Sequence, residues 1–233
     1  TGNTIMDNII DKFVLDQLSV WPMAASNFRD LKNVETRSLE VGGLEVRLQH
    51  NPARIRSSAA KVDKASLQAR KCFLCSENRP QEQISMEFEG RKGRKYNILI
   101  NPYPIFPEHL VIARNTHVPQ SIWHRLPDMT DLARHHPSFT IFYNGPKCGA
   151  SAPDHFHFQA CPRGLMPLEN DIDRLLDEKK AGKPAFICFY DFLNIESEQN
   201  HVAVLHDVFL PLRADQPLLP GGRHGAVGFQ VVE

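Results

Sequence analysis

Residues 139–161 read FTIFYNGPKCGASAPDHFHFQAC, two short apolar runs separated by a loop rich in Gly and Pro. Runs of this kind bounded by turn residues are strand signals, and the stretch predicts strands over 139–143 and 155–161. In the second, successive side chains point to opposite faces. Phe156, Phe158 and Ala160 then share an apolar face, while His155, His157 and Gln159 share a polar one. The two histidines stand roughly 6–7 Å apart along such a strand. They are either satisfied polar groups on a half-buried strand or a pair of metal ligands, since histidines two apart on a strand can reach one ion.

Working outward, residues 96–101 (YNILIN) and 109–114 (HLVIAR) predict two further strands joined by the Pro-rich turn PYPIFPE. Between them and the opening stretch, 120–135 carries Ile122, Trp123, Leu126, Met129 and Leu132, an irregular amphipathic helix despite Pro127. Strand, strand, helix, strand, strand points to an antiparallel α+β domain. Upstream, Ile9, Ile10, Phe13, Val14, Leu18 and Trp21 fall near helical spacing, and Trp21-Pro22 closes that helix. From Val34 to Gln49 the period shortens towards two around Gly42-Gly43, as in a hairpin. The basic stretch 51–71 is either a solvated loop or an anion-binding segment. Downstream, 170–180 reads as helix and 185–190, 202–210 and 225–232 as strands. The expected organisation is a core over 1–170, including the N-terminal helix. An extension over 171–233 packs on the same domain or represents a truncated second half.

Composition limits the function classes. The chain has 233 residues, with Lys+Arg 27 against Asp+Glu 27 and a formal charge of zero. No global field favours nucleic acid or an anionic membrane, so an anionic ligand needs a local site. Hydrophobic residues at 42% and charged residues at 23% exclude disordered and fibrous classes. The five cysteines are odd in number, and no apolar run approaches the roughly 20 residues that span a bilayer. Without a leader-like segment, a disulfide framework is not expected and a cytoplasmic location is. The chain starts at Thr1 rather than a methionine, so a longer parent chain is an open expectation.

Two further motifs carry chemistry. Cys72-Phe73-Leu74-Cys75 supplies two thiolates at a spacing that closes on one tetrahedral zinc or serves thiol redox chemistry. Ser76-Glu77-Asn78-Arg79-Pro80 follows it rather than a helix, which favours zinc; two more ligands are then needed, and histidines are the natural suppliers. The loop Asn144-Gly145-Pro146-Lys147-Cys148-Gly149-Ala150-Ser151 enters the histidine strand. Its glycines admit close approach of backbone N–H groups to an anion, Ser151 adds a hydroxyl and Lys147 a charge.

The run 97–118 (NILINPYPIFPEHLVIARNTHV), a helix, a strand ending in Asn144-Gly145 and then HFHFQ together resemble the core of the histidine-triad superfamily. The H-x-H-x-Q ending resembles its transferase branch: galactose-1-phosphate uridylyltransferases, diadenosine tetraphosphate phosphorylases and phosphorylases of the GDP-L-galactose type. The resemblance covers about residues 45–170. It implies a histidine-triad-like antiparallel sheet with packed helices, and a nucleotidyltransferase or phosphorylase acting on an NDP-sugar or dinucleotide with phosphate or a sugar phosphate as acceptor. It implies that His157 is the nucleophile taking up the nucleotidyl group and that Gln159 replaces the third histidine of the hydrolase branch. An amide can only hydrogen-bond where a histidine could donate a proton, so the nucleotidyl-histidine survives until the acceptor attacks. Asn144, Gly145, Lys147, Gly149 and Ser151 would hold phosphoryl oxygens, and Arg54 and Arg56 would line the nucleotide site. A structural zinc would sit on Cys72, Cys75, His117 and His155, with His109 a rival for the third ligand. Five residues separate Gly149 from His155, one more than the uridylyltransferase pattern. Residues 170–233 are also too short for the second copy of the fold found in that family. Two other readings stand beside this one: a metal-dependent hydrolase using His155 and His157 on one ion, and a non-catalytic nucleotide-binding module stabilised by zinc. No nucleic-acid or membrane partner is expected, and a homodimer is admitted.

Overall fold

The computed structural model describes residues 2–41, 44–51, 63–146 and 150–170 and the strand segments 195–196, 202–205 and 229–232. The short apolar runs form the centre. Strands β3 (Met86–Glu89), β4 (Lys95–Ile100), β5 (Leu110–Arg114), β6 (Phe139–Phe142) and β7 (His157–Pro162) make one antiparallel sheet in the order β3-β4-β5-β7-β6. This is the α+β architecture expected from the sequence. Strand β7 lies between two neighbours, with Ile112 opposite Phe158, Ala113 opposite His157 and Phe142 opposite Gln159.

That register sorts the side chains without exception. Tyr96, Ile98, Ile100, Leu110, Ile112, Phe139, Ile141, Phe158 and Ala160 point into one core, together with Phe156. Leu99, Val111 and Ala113 point the other way and meet Cys72, Leu74, Cys75 and Ala152. Phe156 and Phe158 are both fully buried, their rings 4.8 Å apart edge to face, and each contributes roughly 2–3 kcal/mol by leaving water.

Helices cover the first face. Helix α1 (Gly2–Val20) presents Ile10, Phe13 and Val14 to the core at helical spacing. Gln17 lies on the same stripe and is fully buried. Its amide donates to Glu82 O at 2.6 Å and accepts from Ile84 N–H at 2.8 Å, so its polar groups are satisfied. Ile9, expected in that stripe, is 48% exposed because it precedes the buried turn by one position. Pro22 does close α1, but it also opens a second helix, α2 (Pro22–Asp30), that was not expected. Proline fits the first turn, whose N–H groups have no helical partner. The same rule explains Pro127. The helix expected over 120–135 begins at Leu126 as a later helix, α4 (Leu126–His135), with Pro127 in its first turn. Between these helices, α3 (Lys64–Ala69) is capped by Asp63, whose carboxylate accepts from Ser66 N–H at 3.0 Å. The basic stretch is therefore not loop throughout.

The hairpin is present as β1 (Glu35–Val41) and β2 (Leu44–His50), with Val41 opposite Leu44. Its turn at Gly42-Gly43 lies outside the described residues, as do the readings of helix over 170–180 and strand over 185–190. A separate sheet of three strands, ordered β10-β9-β8, contains β8 (Ile195–Glu196), β9 (Val202–Leu205) and β10 (Phe229–Val232). The latter two fall within the strand readings 202–210 and 225–232. No helix among the described residues is long and apolar enough to cross a membrane.

Candidate functional site

The second face of the sheet carries the chemistry. Cys72 and Cys75 lie in a tight turn closed by Cys75 N–H to Cys72 O at 3.3 Å, and Asn78 Nδ2 donates to the same carbonyl at 3.0 Å. This brings both sulfurs to one side. His117 follows β5, and His155 stands two residues before β7 rather than inside it. Phe156 N–H donates to Val118 O at 2.7 Å, which draws the two histidine segments together. Cys72 Sγ is 3.3 Å from His155 Nδ1, and Cys75 Sγ is 3.3 Å from His117 Nδ1 and 3.5 Å from His155 Nδ1. The four ligand atoms all lie within 4.8 Å of one another.

This donor set fits a tetrahedral metal. Zn–S near 2.3 Å and Zn–N near 2.0–2.1 Å place sulfur and nitrogen about 3.5 Å apart, close to the spacings seen. Both histidines turn Nδ1 inward and have a partner on the other nitrogen. His155 Nε2 is 2.7 Å from Arg114 O, and His117 Nε2 is 3.7 Å from Asp154 Oδ2. The Arg114 carbonyl keeps the proton of His155 on Nε2 and its lone pair on Nδ1, the arrangement of a metal-ligating histidine, while Asp154 lies near His117 beyond hydrogen-bond reach. Burial, and after it the charge of Cys72, pushes the Cys75 thiol up to about 12. A divalent cation reverses that preference by stabilising the thiolates. Arg70 closes the flank: its guanidinium donates to Ser151 O at 2.6 Å, lies 3.6 Å from Asp154 and sits 5.0 Å over the Phe73 ring.

His157 stands apart from this cluster. It is 5% exposed, and its Nδ1 lies 2.9 Å from His155 O. A carbonyl only accepts, so Nδ1 carries the proton and Nε2 of the neutral ring carries the lone pair. Burial holds the imidazolium pKa down to about 4, which keeps that lone pair available near neutral pH. The backbone of His157 is held by Gln120, 2% exposed. His157 N–H donates to Gln120 Oε1 at 2.8 Å, while Gln120 Nε2 donates to His157 O at 3.0 Å and Asn144 O at 2.8 Å. The β6 ladder ends at Phe142 opposite Gln159, and the Gln120 amide continues the pairing where the strand stops.

Gln159 shares the face of His157 and is 8% exposed, its Oε1 2.9 Å from His109 Nε2. His109 therefore faces Gln159 and belongs to no metal-capable cluster among the described residues. Asn144 is buried with its Oδ1 meeting no hydrogen-bond partner among the described residues. Gly145 is buried beside it and Ser151 is half-buried. Lys147, Gly149, Arg54 and Arg56 lie outside the described residues. Sequence reading gave Gln120, Asp154 and Arg70 no role in the site. Gln120 acts through placement, not through a reactive group, and no spacing rule marks it.

An α+β sheet whose open face joins a Cys/His metal-capable cluster to a buried H-x-H-x-Q segment defines the class of the protein. A family model described as "Domain of unknown function (DUF4922)" matches residues 13–162, and the chain belongs to that family. A curated relative, Protein APA1 of Saccharomyces cerevisiae, is 26% identical over 121 residues, covering 46% of this chain and 37% of that one. The crystal structure of yeast Ap4A phosphorylase Apa2 in complex with AMP matches with 18% identity and a TM-score of 0.40, over 84% of this chain and 63% of that one. The same enzyme in complex with Ap4A gives 18% identity and a TM-score of 0.41, over 84% and 67%. The chain thus spans little more than a third of the length of the curated relative.

Proposed function

We propose that this protein transfers a nucleotidyl group through a covalent nucleotidyl-His157, as a nucleotidyltransferase or phosphorylase, with a structural zinc on Cys72, Cys75, His117 and His155. The observation that carries the reading is the tautomer of His157. With Nδ1–H tied to the His155 carbonyl, Nε2 is the nucleophilic atom, on the sheet face His157 shares with Gln159. The Nε2 lone pair attacks the α-phosphorus, an N–P bond forms, the P–O bond to the leaving phosphate breaks, and the leaving group departs with the electron pair. Attack by phosphate or a sugar phosphate then breaks the N–P bond and restores the neutral ring. Gln159 and Asn144 would donate hydrogen bonds to phosphoryl oxygens as charge spreads over them, with Gly145, Lys147, Gly149 and Ser151 as further phosphate contacts and Arg54 and Arg56 towards the nucleotide. The substrate class, an NDP-sugar or a dinucleotide, follows from the sequence resemblance. The zinc would hold the 72–75 turn against the entry to β7; it supplies structure, and no reaction step passes through it. His155 gives its Nδ1 to the cluster and its Nε2 to Arg114 O, whereas His157 points elsewhere, which speaks against one ion shared by both.

The test is incubation with α-phosphate-labelled NDP-sugars and dinucleotides followed by mass spectrometry. An acid-labile nucleotidyl adduct on His157 is expected, and none in His157→Ala, which should still bind nucleotide. Adduct formation in His157→Ala, or none in wild type with any donor of the panel, would sink the covalent reading.

A further inference from the structure

We propose that His109 is a positioning residue that fixes which end of the Gln159 amide faces the reacting phosphoryl group; this deepens, and rests on, nucleotidyl transfer at His157. The inference follows from a chain of donors and acceptors. Ile105 N–H lies 3.1 Å from His109 Nδ1, and a backbone N–H can only donate, so Nδ1 must hold its lone pair. The neutral ring then has its proton on Nε2. That Nε2–H lies 2.9 Å from the Gln159 side chain and requires an acceptor there, which is Oε1. The remaining end of the amide, the NH2 group with two donors, is directed away from His109.

The ring has no freedom to reverse this choice. His109 is fully buried, stacked on Phe142 at 6.1 Å with an interplanar angle of 27° and set edge-on to Phe106 at 5.7 Å. Turning the ring over would take the acceptor away from Ile105 N–H. Turning the amide over would set the NH2 donors of Gln159 against Nε2–H of His109 and leave a buried donor unpaired, an arrangement disfavoured roughly 10- to 100-fold. Val111 opposite Gln159 and Ala113 opposite His157 place the amide and the nucleophile on one side of the sheet. Without this control a glutamine offers an oxygen or an NH2 with similar ease. An oxygen facing the transferring group would repel the phosphoryl oxygens, whereas the NH2 stabilises the charge they gather. The turn 102–108 thereby acts on the reaction through two hydrogen bonds.

Two measurements on the full chain test this. In wild type, nitrogen-15 NMR of the imidazoles should show His109 as the Nε2–H tautomer near neutral pH; an Nδ1–H tautomer or an imidazolium would overturn the proposal. In steady-state transfer to inorganic phosphate, using whichever NDP-sugar or dinucleotide labels His157, His109→Phe keeps the aromatic stack and removes both nitrogens. It should lower kcat at least about 10-fold, with KM changed less than about 3-fold. Gln159→Ala combined with His109→Phe should be no slower than Gln159→Ala alone, because the histidine acts only through the amide. His109→Gln, which can again present an N–H to Oε1, should recover part of the loss. Multiplying losses in the double variant, or a raised KM at unchanged kcat, would show that His109 serves packing or binding instead. A wild type that neither labels nor turns over would overturn the transferase reading and the catalytic purpose of the contact, while the tautomer still decides the contact itself.

Discussion

His157 meets β5 on one side, but on the other the β6 ladder has already ended, and a side chain takes over the pairing there. Gln120 satisfies three buried backbone groups, His157 N–H, His157 O and Asn144 O. Gln120→Ala leaves all three without their partner, and each buried orphan costs about 1–3 kcal/mol unless water enters. The expected outcome is a loss of at least about 2 kcal/mol in urea unfolding, together with slower labelling of His157. Gln120→Glu should retain the acceptor for His157 N–H but set carboxylate oxygens against two carbonyls, and should do no better than alanine. A Gln120→Ala protein as stable as wild type would show that water replaces the amide without cost. At this scale the sequence is legible where residue type alone limits the chemistry. Cys72 and Cys75 stand out as a metal-capable pair because few side chains bind zinc, whereas His117 and His155 come from the family resemblance and are brought to the same cluster by the fold, and His157 stands out by its spacing from His155. Gln120 and the role of His109 are not legible, because an amide or a ring takes its function from whichever backbone group the fold sets beside it.

Helix α4 is joined to the β3–β4 region by Asp131, which accepts from the Arg91 guanidinium, and by a buried carboxylate in its first turn. Asp128, fully buried, accepts from Arg94 Nε at 2.6 Å and Nη2 at 2.9 Å, from the Tyr96 hydroxyl at 2.6 Å and from Arg91 N–H at 2.8 Å. Gly90 completes the fit, since a Cβ there would lie 2.8 Å from Asp128 Cγ. Burial opposes the charge on Asp128, but the bonds from Arg94, Tyr96 and Arg91 outweigh it and hold the carboxyl below its ordinary range. A carboxyl with a lowered folded-state pKa stabilises fully above its unfolded value, near 3.9, and that stabilisation is lost as pH falls through the folded value. Asp128→Asn leaves Arg94 without its counter-charge and should cost about 3 kcal/mol at pH 7. The gap between variant and wild type should stay constant down to about pH 5 and narrow below about pH 4. An equal gap at pH 3 would show that shape, not charge, holds the helix. The elements themselves were legible where an apolar run or the helical period continued for five residues or more, as in β4, β5 and α1. Strand β3 is four residues long at the sheet edge, too short a run to show a period. Helix α2 was hidden because Pro22 reads equally as an end and as a beginning. His155 was expected within the strand, but its backbone turns aside before β7 so that its ring can join the two cysteines.

Across the molecule the sheet divides the work between its faces. One is sealed by α1, α2 and α4 over a continuous apolar core; the other holds His157, Gln159 and the Cys/His cluster over a much smaller one. The segment 72–85 is attached to both, through Gln17 to its Glu82–Ile84 end and through the cluster to its Cys72–Cys75 end. Removing a metal from Cys72, Cys75, His117 and His155 should therefore loosen the second face and spare the first. Burial raises the Cys75 thiol to about 12, so without the metal its sulfur protonates near neutral pH and the 72–75 turn loses its tie to the two histidine segments, which stay joined through Phe156 N–H and Val118 O. Chelation should speed amide hydrogen exchange in residues 72–78, 115–118 and 155–157, while Tyr96–Ile100 and Leu132 remain protected, because local opening follows local loss of contacts. Nucleotidyl labelling of His157 should fall in parallel, since its Nδ1 is oriented by the carbonyl of His155, whose ring is in the Cys/His cluster. Refilling with zinc should restore protection and labelling together. Uniform acceleration over both faces would mean that the metal supports the whole fold rather than the placement of one strand. Unchanged exchange with full labelling would show that the hydrogen bonds around His155 and His157 suffice to hold the nucleophile.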